Sequence, residues 1–150
     1  MKKNIALVAH DNRKEDLINW VEWNWEALIE HKIYCTGTTG KLVEKTLAQK
    51  HGKGQYFEII KLKSGPLGGD QQLGALISEG KIDMFFFFWD PMQQQAHDVD
   101  VKALLRIAVL YNVPTANNRS TADFIISSPL FKEDYKPLIK DYFEYINRKV

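Results

Sequence analysis

The sequence predicts an α/β fold, a single Rossmann-like domain over residues 1–150 with an open, mainly parallel sheet and helices on both faces. Three observations lead there. Short apolar runs alternate with longer amphipathic ones along the chain, the order expected of strand-then-helix units. The runs Ile5-Ala6-Leu7-Val8-Ala9 and Met84-Phe85-Phe86-Phe87-Phe88-Trp89 are apolar at every position, as strands covered on both sides must be. With 45% of 150 residues hydrophobic, there is material for one sizeable core, and no linker, repeat or low-complexity stretch divides it.

In order, residues 4–9 read as a buried strand that stops at His10-Asp11, and 16–29 as a helix. A strand at 32–35 and a helix at 41–49 follow. Residues 56–62 form the third strand, 70–79 a helix behind a glycine-rich turn, and 83–89 the most deeply buried strand. The helix at 100–111 carries Val101, Leu104, Leu105, Ala108 and Val109 on one side, and 113–116 is the last strand. Helices at 121–127 and 135–148 close the chain. Weak order is expected at His51-Gly52-Lys53-Gly54 and Gln93-Gln94-Gln95.

Charge narrows the class of function. Twenty basic and 19 acidic residues leave a net charge of +1, so no overall field draws in nucleic acid or an anionic membrane, and neither is expected as a partner. The run at 84–89 is far too short to span a bilayer, and the apolar run at 5–9 is too short for a secretion signal. A cytoplasmic protein is expected. The one cysteine, Cys35, has no internal disulfide partner and lies inside a predicted strand, where it reads as a small core residue.

In an open parallel sheet, ligands collect at the carboxyl ends of the strands. Four polar loops meet there: His10-Asp11-Asn12-Arg13-Lys14, Thr36-Gly37-Thr38-Thr39-Gly40, Ser64 to Asp70, and Asp90-Pro91 running on to His97-Asp98-Val99-Asp100. Lys14, Thr36, Thr38, Thr39 and Ser64 are donors, and Gly37, Gly40 and Gly65 allow backbone N–H groups to approach closely, a set suited to a phosphate. Structural readings compete: a threonine N-cap for the Thr-Gly-Thr-Thr-Gly turn, a solvated Lys14, and an N-cap role for Asp70 at the head of its helix. An aspartate beside a phosphate is otherwise repelled, unless it takes a proton from the carbon part of the same ligand.

Asp11, Asp70, Asp90, Asp98 and Asp100 cannot all stay ionised at close range without strong mutual perturbation, so at least one should titrate unusually or pair with Lys14, Arg106 or His97. His97 fits a donor to a substrate oxygen or a general acid, and His10 an orienting or capped loop residue. No His-x-x-x-His spacing accompanies them, and no metal is expected.

Taken together, Val8-Ala9-His10-Asp11 with Lys14, Thr36-Gly37-Thr38-Thr39-Gly40, Ser64 through Gln72 with Gly74-Ala75-Leu76-Ile77, Phe88-Trp89-Asp90-Pro91, and His97-Asp98 with Asp100 through Arg106 resemble the methylglyoxal synthase family. Thr121-Ala122-Asp123-Phe124 extends the resemblance, which runs from about residue 4 to 129. Departures lie at Asn12-Arg13, Gln93-Gln94-Gln95-Ala96 and the C-terminal tail. The resemblance implies a methylglyoxal-synthase-like fold and conversion of dihydroxyacetone phosphate to methylglyoxal and inorganic phosphate with no cofactor. It implies Asp70 as general base, His97, Asp100 and Asp11 at the reacting end, and His10, Lys14, Thr36, Thr38, Thr39, Ser64 and Gly65 as substrate- and phosphate-binding residues. It also implies inhibition by phosphate and a homohexamer. A ligand-sensing domain of the same fold would need the phosphate loops but not Asp70, His97 and Asp100 together; a phosphosugar isomerase fits the same residue types and differs in its product.

Overall fold

The computed structural model of the chain describes residues 1–52 and 54–149, so Lys53, in the turn expected to be weakly ordered, lies outside the described residues. Strands β1 (Asn4–Ala9), β2 (Lys32–Thr36), β3 (Glu58–Leu62), β4 (Met84–Phe88) and β5 (Thr115–Ala116) form one sheet in the order β3-β2-β1-β4-β5. Every pairing is parallel, with Ile5 opposite both Ile33 and Met84. The α/β class with a parallel sheet is the one the sequence predicts. Strand order reverses at β1, between β2 and β4, which is where a doubly wound sheet opens a crevice for a ligand.

Alternation along the strands sends side chains into two cores. Ile5, Leu7, Met84, Phe86 and Phe88 meet α1 (Lys14–Trp23) and α3 (Gly37–His51) through Leu17, Trp20, Val21, Val43 and Leu47. Ala6, Val8, Phe85 and Phe87 meet α4 (Gly69–Ser78) and α5 (Asp98–Leu110) through Leu73, Ile77, Val101, Leu104 and Ala108. Two buried faces explain why these strands are apolar at successive positions. Cys35 is fully buried in the first core, and burial pushes its thiol pKa up, which makes it the core residue expected. Trp20 is also fully buried, and its indole Nε1 donates to Asp123 Oδ1 of α6 (Arg119–Ser127) at 3.0 Å.

Several expected elements differ: the helix expected at 41–49 already starts at Gly37, and the strand expected at 113–116 keeps only Thr115–Ala116. The helix at 16–29 breaks at Asn24, whose Nδ2 donates to the Trp20 carbonyl at 2.8 Å, and resumes as α2 (Trp25–Ile29). The helix at 135–148 shrinks to α8 (Phe143–Ile146), because Leu138, Phe143, Tyr145 and Ile146 are exposed and no buried face holds the segment helical. The third strand starts at Glu58, after an exposed Tyr56. One short helix, α7 (Pro129–Lys132), was not expected; the Ser128 side chain caps it by accepting from the Leu130 N–H. Among the described residues, no helix is long and apolar enough to cross a membrane.

Candidate active site

Glycines bring the four loops to one point. Gly37 has φ +50°, and a Cβ there would lie 2.9 Å from Ser64 Cβ, so the start of α3 and the loop after β3 touch only because that side chain is missing. A Cβ on Gly69 would lie 1.9 Å from the Lys63 carbonyl oxygen, which ties the head of α4 against the end of β3. Gly68, with φ +104°, is the N-cap of α4. The N-cap reading of Asp70 is therefore incorrect. Its carboxylate turns inward instead, buried, with Oδ2 2.5 Å from His97 Nδ1. Two acceptors do not approach so closely, so one proton lies between them.

Around this dyad is a pocket of about 220 Å³ lined by Val8, Ala9, His10, Asp11, Lys14, Thr36, Gly37, Thr38, Thr39, Ser64, Gly65, Pro66, Asp70, Phe87, Gln95 and His97. One wall is the N-terminal turn of α3. Its N-cap, Thr36, makes no side-chain capping hydrogen bond, so the threonine-cap reading also fails; the Gly37 N–H donates to the Lys63 carbonyl at 3.2 Å, and the Thr38 and Thr39 amides keep their donor capacity. Thr39 Oγ1 lies 3.5 Å from the Ala9 carbonyl. Lys14 reaches in from α1 and pairs with Asp11, whose carboxyl it holds below the usual range by hydrogen bond and charge.

His10 is buried and edge-on to both Phe87 and His97, at 5.1 and 5.6 Å between ring centroids. Its Nδ1 accepts the Asp90 backbone N–H at 3.2 Å, which leaves the ring proton on Nε2, a buried atom with no partner among the described residues. Burial, and then His97, lower its pKa against the opposing pull of Asp70, Asp90 and Asp98. Gly65 packs on the dyad: a Cβ there would lie 2.7 Å from His97 Cε1 and 3.0 Å from Asp70 Oδ1.

The loops thus bring together Asp70, His97, His10, Asp11, Lys14, Thr36, Thr38, Thr39, Ser64 and Gly65. Asp100 stands apart: it lies half-buried in the first turn of α5 and does not line the pocket. The crowded carboxylates are relieved individually, Asp90 by the Met92 N–H and Asn12, which keep its pKa low, and Asp98 by the Gln95 N–H. Sequence reasoning missed Phe87 and Gln95 as lining residues; their positions near the end of β4 and two before His97 were the available signals. Among the described residues, no group of three or more His, Cys, Asp or Glu side chains could hold a metal ion.

Residues 16–117 match the family model described as the MGS-like domain. The chain is 58% identical to the methylglyoxal synthase of Maridesulfovibrio salexigens over 99% of this chain and 98% of that protein. It is 52% identical to the methylglyoxal synthase of Proteus mirabilis over 99% and 93%. The crystal structure of methylglyoxal synthase from Elizabethkingia anophelis NUHP1 superposes with a TM-score of 0.88 at 48% identity, covering 99% of this chain and 93% of that one.

Proposed function

The chain belongs to the methylglyoxal synthase family, and from that premise and the pocket's own residues we propose that it is a carbon–oxygen lyase converting dihydroxyacetone phosphate to methylglyoxal and inorganic phosphate. The observation that carries the residue-level reading is the buried Asp70–His97 pair facing the uncapped N-terminus of α3 across a small pocket. A phosphate seated on the α3 amides, the Thr36, Thr38 and Ser64 hydroxyls, the Gly65 amide and Lys14 places the carbon end of a triose against Asp70. Thr39 shapes that wall from behind.

Asp70 takes the proton from the hydroxyl-bearing carbon, and the electron pair moves toward the carbonyl to give an enediolate. The neutral His10 Nε2–H is a donor to the developing oxyanion, and the far nitrogen of His97 is a second donor when its ring is doubly protonated against the ionised Asp70. The enediolate electrons then break the carbon–oxygen bond to phosphate while the hydroxyl on the deprotonated carbon gives up its proton to the departing phosphate, leaving the enolate of methylglyoxal, which takes up a proton at its terminal carbon. Elimination requires that bond to stand perpendicular to the enediolate plane; an isomerase would hold it in the plane and return the proton. Asp11 sets the position of Lys14, and Asp100 acts at the reacting end only if α5 moves its first turn inward on binding. No cofactor enters any step.

The finer properties belong to the same reading: residues 1–150 act as one methylglyoxal-synthase-like domain, in the cytoplasm, as a homohexamer, with inorganic phosphate as product and competing inhibitor. The test is turnover of dihydroxyacetone phosphate, following methylglyoxal and free phosphate together. Equal amounts of both are expected, and Asp70→Asn should lower kcat by about two to four powers of ten while phosphate binds as tightly or more tightly, a repelling charge being gone. Glyceraldehyde 3-phosphate as main product would make the protein an isomerase, and substantial activity in Asp70→Asn would remove Asp70 from the role of base.

A further inference from the structure

We propose that Asn12 is a positioning residue: its side-chain amide clasps the loop after β1 to the loop after β4 and thereby holds His10 as the neutral donor with its proton on Nε2. The proposal rests on the reading of the pocket as a triose phosphate site. Asn12 Nδ2 donates to Asp90 Oδ2 at 3.0 Å and to Gln93 Oε1 at 2.8 Å, so both amide hydrogens are used across the gap between the loops. Asp90 Oδ1 accepts the Met92 N–H at 3.0 Å, and the Asp90 side chain is held from two directions. Fixing Asp90 fixes its backbone N–H, which points at His10 Nδ1 from 3.2 Å. A nitrogen that accepts cannot also carry the ring proton, so the alternative tautomer and the doubly protonated ring both set donor against donor.

Three carboxylates, Asp70, Asp90 and Asp98, pull His10 toward the charged form, while burial and His97 oppose them. A charged His10 would hold the ring's charge before the substrate arrives and would present Nδ1–H to the Asp90 amide, forcing the loop away. That same loop runs on to Gln95 and His97, both of which line the pocket. Asn12 is therefore placed to control two donors through one clasp. Substitution with aspartate is isosteric but directs a carboxylate at the Asp90 carboxylate, turning that attraction into a repulsion and leaving Gln93, whose amide turns to donate, as the one remaining contact.

The experiment is nitrogen NMR of the histidine rings in uniformly labelled protein, with His10 assigned from the spectrum lost in His10→Asn, alongside steady-state kinetics. In the unaltered protein His10 should show protonated Nε2 and bare Nδ1, and stay neutral below pH 6.5. In Asn12→Asp, His10 should show mixed tautomers or become protonated near its ordinary pKa of about 6.5, with kcat lower by about tenfold to a hundredfold and KM changed by less than about threefold. Gln94→Ala, exposed in the same loop and outside the clasp, should match the unaltered protein in both readouts. Should Asn12→Asp fail to fold, Asn12→Ala, which removes the clasp without adding charge, decides the matter by the same two measurements. An unchanged His10 spectrum in a folded Asn12 variant overturns the proposal, whatever happens to kcat. Failure of the unaltered protein to make methylglyoxal would sink the reading of the site, and the ring spectra would still decide the clasp.

Discussion

Gly65→Ala isolates the packing of the Asp70–His97 pair from its chemistry. Gly65 does not have positive φ, so alanine meets no backbone strain there, and the effect comes from one methyl group. That methyl would sit 2.7 Å from His97 Cε1 and 3.0 and 3.1 Å from the two Asp70 carboxylate oxygens, where ordinary contact begins at 3.4 Å. The ring must retreat by 3.4 minus 2.7, about 0.7 Å, while tied to Asp70 by a 2.5 Å hydrogen bond. Displacements approaching 1 Å in a reacting constellation cost on the order of a hundredfold, so kcat should fall by about thirty- to a hundredfold. Overpacking should lower stability by about 1–3 kcal/mol. The assay is methylglyoxal formation at saturating dihydroxyacetone phosphate, paired with urea denaturation. Gly74→Ala in α4 is the control: its new methyl would lie 3.9 Å from the nearest atom, Leu104 Cδ1, so activity should be unchanged. Retention of kcat within about threefold in Gly65→Ala would show that the dyad does not rest on Gly65 during turnover. A loss confined to KM would reduce Gly65 to a phosphate contact.

Two further predictions concern stability. Asp123→Ala leaves the fully buried Trp20 indole N–H without its acceptor and should cost about 1–3 kcal/mol in urea denaturation, with Asp123→Asn recovering part of it; an Asp123→Ala protein as stable as the original would mean that water replaces the carboxylate. His31 is buried against Phe131, its Nδ1 accepts the Lys3 N–H at 3.3 Å, and burial lowers its pKa below the ordinary 6.5. Folding therefore favours the neutral ring, as it does for His10, so this contribution is complete above pH 6.5 and is lost as pH falls from there through the folded-state value. Unfolding free energy should decline between pH 7 and 5, more gently in His31→Asn than in the unaltered chain; equal slopes would remove His31 as a source.

What could be read from the sequence follows from the range of the interactions involved. β1 and β4 are legible because burial on both faces demands apolar residues at every position, a constraint written locally. The pocket's loops are legible because the carboxyl ends of parallel strands share one edge, so Thr36, Ser64 and Asp70 can be placed together without knowing a single contact. The helix expected at 135–148 failed for the opposite reason. Its apolar residues, Leu138 and Ile146 among them, have the right spacing but no surface of this chain to cover, and periodicity does not say whether a partner face exists.

Within the site, residue types were legible and partners were not. Five aspartates near one edge imply mutual perturbation, yet each of four finds its own relief: Asp11 in Lys14, Asp70 in His97, Asp90 in Asn12 and the Met92 amide, Asp98 in the Gln95 amide. Those pairings depend on side-chain directions across three loops. Asp70 shows the limit best. At a helix start, aspartate reads as a cap, but Gly68, in the left-handed region, takes the N-cap position and frees the carboxylate to turn inward. Glycine at 68 is thus what separates the structural role of that aspartate from its chemical one. Gly69 then presses the head of the helix to within contact of the Lys63 carbonyl, which leaves His97 as the partner the carboxylate finds.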